Sequence, residues 1–283
     1  MRLQEEDARP GGLAESALVI SPTPFRLLAG FVTKTLAIAE LEIRKLRHDY
    51  FELVTRAIQP ALWLLLFGTV LTRARLIPTG GVPYLDFMAP GILGQSMLFV
   101  SIFYGVSIIW ERDLGITHKL LVSPTPRGAL VLGKALSAGI RSLSQALIIY
   151  VLALLLGVKL NWNPLALLGV VFLVVLGAAL FSTFSLIIAC LVKTRERFMG
   201  IGQVLTMPMF FASNAIYPVA LMPDWLQMVA RVNPLSYEVD ALRALMLQNG
   251  TSSFGLTVDF AALLVVTIVL VMIGARLYPR VVL

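Results

Sequence analysis

Apolar runs of roughly 20 residues, the length that crosses a bilayer core as a helix, alternate with short polar stretches along most of the chain. Six such runs stand out, at about 56–72, 86–109, 128–157, 164–192, 198–217 and 259–276. A helix satisfies its own backbone hydrogen bonds inside lipid, segment by segment, so each run is expected to be a transmembrane helix. The fourth run is uncharged throughout, and the fifth is uncharged with Pro208 as a kink. The third carries Lys134 and Arg141, seven apart and on one face. Snorkelling to phosphates, or pairing with nearby acidic residues, accounts for these two cations better than substrate binding does. The first and sixth runs have the shortest charge-free cores, and their ends are the least sharply marked.

Two further segments have helical periodicity without the length or apolarity to cross. In 34–52, KTLAIAELEIRKLRHDYFE, the residues Leu36, Ala39, Ile43, Leu46 and Tyr50 recur at helical spacing, and Arg44, Lys45, Arg47 and His48 fill much of the rest. This predicts an amphipathic helix lying in the membrane interface. Between the fifth and sixth runs, 223–248 holds two short helices. Pro223 opens PDWLQMVARV, and Asn233 caps a second helix that starts at Pro234. Leu235, Val239, Leu242 and Met246 form an apolar stripe, with Asp240 and Arg243 paired on another face. Both pieces are expected to re-enter or lie on the outer leaflet. Residues 1–33 contain Glu5, Glu6, Asp7 and Glu15 without a long apolar stretch, and read as a flexible cytoplasmic tail rather than a signal peptide. Residues 34–283 are expected to form one transmembrane domain. The expected fold is all-α and polytopic, with six transmembrane helices.

Composition agrees: 58% of residues are hydrophobic, 14% are charged, and the mean hydropathy is +0.86, which excludes a soluble domain of ordinary surface. A single cysteine, Cys190, precludes an intrachain disulfide and reads as a packing residue. With two distant histidines it supplies too few ligands for zinc, so no metal site is expected. The net charge of +7 reflects membrane orientation rather than nucleic-acid binding. With the N-terminus inside, 16 of the 23 Lys and Arg fall on the inner side and five on the outer, which places both termini in the cytoplasm.

This orientation puts IIWERDLGITHKLLVSPTPR, between the second and third runs, on the cytoplasmic side. Over 110–122, Trp110, Leu114, Thr117 and Leu121 share one helical face, while Glu111, Arg112, Asp113, His118 and Lys119 project from the others. Ser123-Pro124 and Pro126 stop the helix. Such a rod, about 20 Å long, is too polar for lipid and too short to fold alone. A cytoplasmic partner with a groove would receive its charged face; an ordinary polar loop is the competing reading.

WERDLGITHKLLVSPTPRGALVLGK resembles the signature of type-2 ABC exporter permeases, through Glu111, Gly115, Leu120, Leu121, Ser123 and Pro124. YPVALMPDWLQMVARVNPLSYEVDALRALM is similar to that family's outer segment, through Pro218, Leu221, Met222, Pro223, Trp225, Leu226, Asn233, Pro234, Tyr237 and Arg243. Asp113 stands where the family often has Glu. The resemblance covers the chain from the interfacial helix onward. It implies that 110–122 is a coupling helix docked in a separate ABC ATPase, with Glu111, Arg112, Asp113, Gly115, His118 and Leu121 making the coupling contacts. It further implies two ATPase copies carrying ATP and Mg, a second copy of this permease, and a bacterial inner membrane as the location. The chain has no GxxxxGK[ST] loop of its own and is expected to hold no cofactor.

Trp63, Phe67, Phe103, Gln203, Phe210, Phe211 and Asn214 are the candidates for a transport pathway. The resemblance favours them by placing the dimer axis near the first and fifth spans; lipid-facing aromatics and helix–helix hydrogen bonds are the competing accounts. Pro223, Trp225, Asn233, Pro234, Tyr237 and Arg243 are the candidates for an outer gate. No paired aspartates, Ser–His arrangement or HExxH occurs within a span, so the chain is read as a transport subunit and not an enzyme. Short loops and the lack of an added carbohydrate-binding domain favour export of a hydrophobic small molecule or glycolipid. Export of a lipid-linked polysaccharide or lipo-oligosaccharide is the alternative. A six-span scaffold or enzyme working without an ATPase is the second, which a neighbouring ATPase gene would disfavour.

Overall fold

The computed structural model describes residues 33, 40, 50–74, 77–79, 81–115, 127–192 and 194–278. The tail at 1–33 and the interfacial helix at 34–52 therefore lie outside the described residues, apart from 33, 40 and 50–52. The described residues are almost entirely helical. Their one β contact is an isolated antiparallel bridge, Leu160 to Leu247.

The first helix, α1 (Tyr50–Leu62), passes through a π-helical stretch (Trp63–Gly68) into α2 (Thr69–Ala74). Then come α3 (Tyr84–Tyr104), α4 (Val106–Asp113), α5 (Arg127–Leu155), α6 (Pro164–Leu191) and α7 (Arg195–Phe211). A 3-10 turn (Val219–Leu221) leads to α8 (Asp224–Val232), α9 (Pro234–Met246) and α10 (Leu256–Leu277).

The ends of α6 follow local chemistry. The Asn163 side chain accepts from the Leu165 N–H at 3.0 Å with Pro164 in the first turn, and Val192 leaves helical geometry at the other end. At 28 residues α6 is about 42 Å long. It packs against α3, α5, α9 and α10, which makes it the central post of the bundle.

Helices in lipid gain little from apolar contact alone, so close approach and buried polar bonds must hold them together. Glycine supplies the approach. A Cβ at Gly105, between α3 and α4, would strike Ser185 on α6, whose hydroxyl donates to the Ile102 carbonyl. On α3, a Cβ at Gly91 would strike the Ala215 carbonyl, and one at Gly94 would crowd Val239 of α9. The notch at Gly94 helps seat α9 inside the bundle, with nine of its 13 residues buried.

Five stretches among the described residues are long and apolar enough to cross a membrane: Thr55–Ala74, Tyr84–Asp113, Leu130–Leu155, Pro164–Leu191 and Leu256–Leu277. The expected span at 198–217 differs. Its helix, α7, has 17 residues and ends at Phe211. Ser213 causes the break: its hydroxyl donates to the Phe210 carbonyl at 2.7 Å and accepts from the Ala215 N–H at 3.3 Å. Local side-chain bonds of this kind compete with the helical ladder. Pro208 is accommodated within α7, four residues before the Ala212 cap.

The stretch expected as a separate rod at 110–122 also differs over the residues described. Trp110–Asp113 complete α4, which continues the direction of α3. The helix stops at Leu114–Gly115, where Gly115 has φ +72°, a left-handed conformation that suits glycine. His118 and Leu121 lie outside the described residues.

Candidate functional site

The end of α4 gathers the charged residues of the opening motif and ties them to three neighbours. Lys134 of α5 pairs with Glu111, and both side chains are largely buried. Arg195 of α7 meets Asp113 at 3.0 Å, and Arg112 meets the same carboxylate at 3.2 Å. Arg112 also reaches the Val192 carbonyl at 3.4 Å, beyond the end of α6. The Arg195 guanidinium lies 4.1 Å from the Trp110 ring centroid, a cation–π contact. Beneath these contacts Ile108, Ile109, Val131, Leu186, Phe198 and Tyr278 form an apolar cluster drawing on α4, α5, α6, α7 and the cap of α10. Force applied near Gly115 therefore meets a junction of helix ends. The expected pairing of Lys134 with the acidic stretch is present.

A cavity of about 1060 Å³ opens beside this junction, walled by α1, α3, α4 and α5. Phe99, Phe103, Tyr104 and Trp110 give it aromatic walls, and Arg56, Gln59, Gln95, Ser96, Arg141 and Gln145 give it polar ones. The Arg141 guanidinium lies 5.2 Å from the Tyr104 ring centroid, and the Lys134 amine lies 5.8 Å from it. Gln145, 2% exposed, donates to the Arg56 carbonyl at 3.3 Å, while its own carbonyl oxygen has no partner among the described residues.

The other end of the bundle holds a sealed polar network. Asp240 of α9 accepts from the backbone N–H groups of Ser253 and Phe254 at 2.6 and 2.9 Å, and from Ser252 and Asn214 at 3.0 and 3.2 Å. Arg243 lies 3.8 Å from the same carboxylate, donates to the Asn214 carbonyl at 2.8 Å, and stacks 3.8 Å from the Phe87 ring centroid. Burial lowers the Arg243 pKa to about 10, opposed by the Asp240 charge, so it stays protonated at neutral pH. Ser252 also bridges to Asp259 at 2.8 Å. Two residues before Asp240, the fully buried Glu238 lies against Gly177 of α6, and neither of its oxygens is bonded among the described residues. Burial drives its pKa well above the ordinary carboxylate range, which favours its neutral form.

The sequence candidates distribute as follows. Trp63 stacks on Phe67 at 4.6 Å and meets Phe210 edge-on at 5.9 Å, and Phe210 adjoins Phe211 at 5.3 Å. These four make one aromatic chain joining the π-helical stretch to α7, with Phe67 and Phe211 exposed at its edge. Phe103 is separate, on the cavity wall. Gln203 is exposed on α7, and Asn214 is buried in the sealed network. Of the gate candidates, Asn233 caps α9 and donates to the Met209 carbonyl at 2.6 Å, next to Pro234 in the first turn. Tyr237 donates to the Arg231 carbonyl at 2.5 Å, Arg243 lies in the network, and Pro223 and Trp225 are exposed. Sequence reasoning missed Arg56, Asp259 and the burial of Glu238. A charged residue in or beside an apolar run was the available signal for all but Glu238.

The profile of the ABC-2 type transporter family matches residues 33–247. The transport permease ycf38 of Cyanophora paradoxa is 27% identical over 260 residues, 89% of each chain. The daunorubicin resistance ABC transporter permease protein DrrB1 of Streptomyces coeruleorubidus is 25% identical over 269 residues, 95% of this chain and 92% of its own. The doxorubicin resistance ABC transporter permease protein DrrC of Mycobacterium tuberculosis is 25% identical over 252 residues, 87% and 89% of the two chains. The profile match extends from before the first span through α9, taking in the charged junction, the cavity walls and the Asp240 and Arg243 part of the sealed network, and on that ground the chain belongs to the ABC-2 type transporter family and is a transport permease.

Proposed function

We propose that the chain is the membrane half of an ATP-driven exporter, moving a hydrophobic small molecule or glycolipid out of the cytoplasm. Two copies would assemble with two ABC ATPase subunits, which bind ATP and Mg. Both termini would lie in the cytoplasm of a bacterial inner membrane, with α7 and the turn after it as a sixth crossing. The names of the two drug-resistance relatives support an amphipathic, drug-like cargo.

The observation that carries this reading is the junction at Glu111–Asp113. Its acidic residues are tied to α5 and α7 by Lys134 and Arg195, at the tip of a continuous run from Tyr84 to Asp113. A push on that tip by an ATPase would move several helices together, the physical requirement for passing work from one subunit to another. The test is reconstitution with the ATPase in proteoliposomes, measuring ATP hydrolysis and daunorubicin transport together. Glu111→Ala should leave hydrolysis in place and reduce transport about tenfold or more. Undiminished transport per ATP in that variant would remove the junction from the mechanism.

A further inference from the structure

Three groups meet at the Ser252 hydroxyl, and their protons can be counted. The Gly255 N–H donates to it at 2.7 Å. Its oxygen also lies 3.0 Å from Asp240 Oδ2 and 2.8 Å from Asp259 Oδ2. A hydroxyl has one hydrogen and two lone pairs. Gly255 takes one lone pair. The hydrogen serves one carboxyl group, and the second lone pair is left facing the other. Two lone pairs at that distance repel, so the contact holds only if the second carboxyl group carries a proton and donates it. The arrangement therefore requires one proton on the pair.

The surroundings decide which member holds it. Asp240 is met by donors: the N–H groups of Ser253 and Phe254, the Asn214 amide and the Arg243 guanidinium. These stabilise its charged form. Asp259, in the first turn of α10, is 0% exposed, and its Oδ1 has no partner among the described residues. Ionised, it would place a bare oxygen in an enclosed medium beside the Asp240 charge, which is costly. The helices packed on α10 bring no second cation to this end. They are α5, α6 and α9. α6 has no charged residue, and α5 has none after Arg141. α9 brings Glu238, Asp240 and Arg243; Glu238 lies against Gly177, and Arg243 faces Asp240.

We propose that Asp259 binds a proton that braces α10 to α9, Asp259 donating to Ser252 and Ser252 to Asp240. The same carboxylate of Asp240 holds the Ser253 and Phe254 backbone, so the brace also closes the 252–255 loop onto α9. Thr251 and Ser253 are exposed, which puts the site one residue below the surface and within reach of protons from the medium. Loss of the proton to the medium leaves two negative charges around one hydroxyl. The weaker side of the chain of bonds then parts, and the loop is released from α9. The permease carries this proton site whatever its cargo, so the proposal does not depend on the export reading.

The test uses infrared spectra of the purified full-length permease in detergent, with aspartate isotope-labelled in its side-chain carboxyl so that Glu238 does not contribute. A protonated-carboxyl band that moves with the label should be present at neutral pH. It should vanish in Asp259→Asn and persist in Asp86→Asn, which removes another buried aspartate. Ser252→Ala should shift the band, because the acceptor of its hydrogen bond is gone; this covers the case in which Asp259→Asn misfolds. No labelled band at neutral pH, or one that neither variant alters, would overturn the assignment. Hydrogen exchange then reads the brace. After correction for the intrinsic rate, the Ser253 and Phe254 amides should lose about tenfold in protection between neutral and alkaline pH. Asp259→Asn, whose amide supplies the donor at every pH, should keep that protection. Equal losses in the two proteins would overturn the brace. The same curves are expected in sodium, potassium and choline chloride. Protection that survived alkaline pH only in sodium would put a bound cation in place of the proton and overturn the proposal.

Discussion

The two ends of the Tyr84–Asp113 run handle charge in opposite ways. At the Asp113 end the ion pairs join different helices, and one carboxylate, that of Asp113, is 39% exposed. At the Phe87 end the Arg243–Asp240 pair is enclosed, and the Asp240 side chain has no exposure at all. An accessible pair gains little stability because water and salt already satisfy its members. An enclosed pair is costly to assemble and more costly to break, since removing one member strands the other in a medium of low polarity. The difference teaches that similar residue types can build a movable joint at one end and a lock at the other. The amount of water around them decides which.

Breaking the lock should give the largest effect. Asp240→Ala leaves Arg243 buried with only carbonyl oxygens and a ring for company, and removes the acceptor for the Ser253 and Phe254 backbone. A loss of about 3–5 kcal/mol is expected, read as a much lower thermal midpoint in detergent or as failure to recover monodisperse protein. Asp113→Ala, the corresponding change at the exposed carboxylate of the joint, should leave the midpoint close to that of the parent. If the two variants lost stability equally, the contrast between the ends would be wrong.

A smaller but still large effect should follow from closing the notch at Gly91. An alanine there meets the Ala215 backbone, which has no flexible end to move aside. Gly91→Ala should lose about 1–3 kcal/mol, the usual cost of overpacking. Gly115→Ala tests the other end: among the described residues nothing lies within 4 Å of an added Cβ, and the penalty there is the φ of +72°. That change should cost about 1–2 kcal/mol, as expected for a left-handed residue.

These residues also show how much could be read from the chain. The start of α6 was legible because Asn163-Pro164 is a local signal, and Lys134 with Glu111 because opposite charges bordering apolar runs have few other partners. The family was legible from two motifs. The end of α7 was not, because Ser213 acts through bonds that hydropathy does not register. Nor was the stop at Gly115, whose neighbours suit a longer helix. The cavity needed α1, α3, α4 and α5 to meet, and no spacing along one segment reports that Gln145 reaches the Arg56 carbonyl. The burial of Glu238 was not legible either, because it depends on Gly177 of another helix, α6, lying against its carboxylate.

Glu238 sharpens the comparison through pH. Its pKa is raised in the folded state by burial, so the folded protein holds a proton that the unfolded chain releases at lower pH. Stability from this group is fully present below the ordinary carboxylate pKa and is lost as pH rises through the raised value. Glu238→Gln keeps the shape and removes the titration. The variant should match the parent at acidic pH and exceed it in thermal midpoint at alkaline pH. Parallel curves for the two proteins across the whole range would show that Glu238 finds a partner or water when folded.

The smallest effect on stability should come from Arg195→Gln, and it tests the joint most directly. The Arg195–Asp113 pair has 39% exposure on both sides, so its loss should leave the thermal midpoint unchanged within measurement. Its mechanical consequence need not be small, because it is the ion pair linking the tip of α4 to α7, with the guanidinium also over Trp110. In proteoliposomes with the ATPase, transport per ATP should fall while hydrolysis continues. Salt supplies an internal control. At an ionic strength of about 1 M the screening length shrinks to ~3 Å, so the parent should lose part of its own coupling and approach the variant. A gap between the two that did not narrow with salt would mean that Arg195 acts by packing on Trp110 and not by charge. In that case the joint would share the solvent-shielded character of the lock.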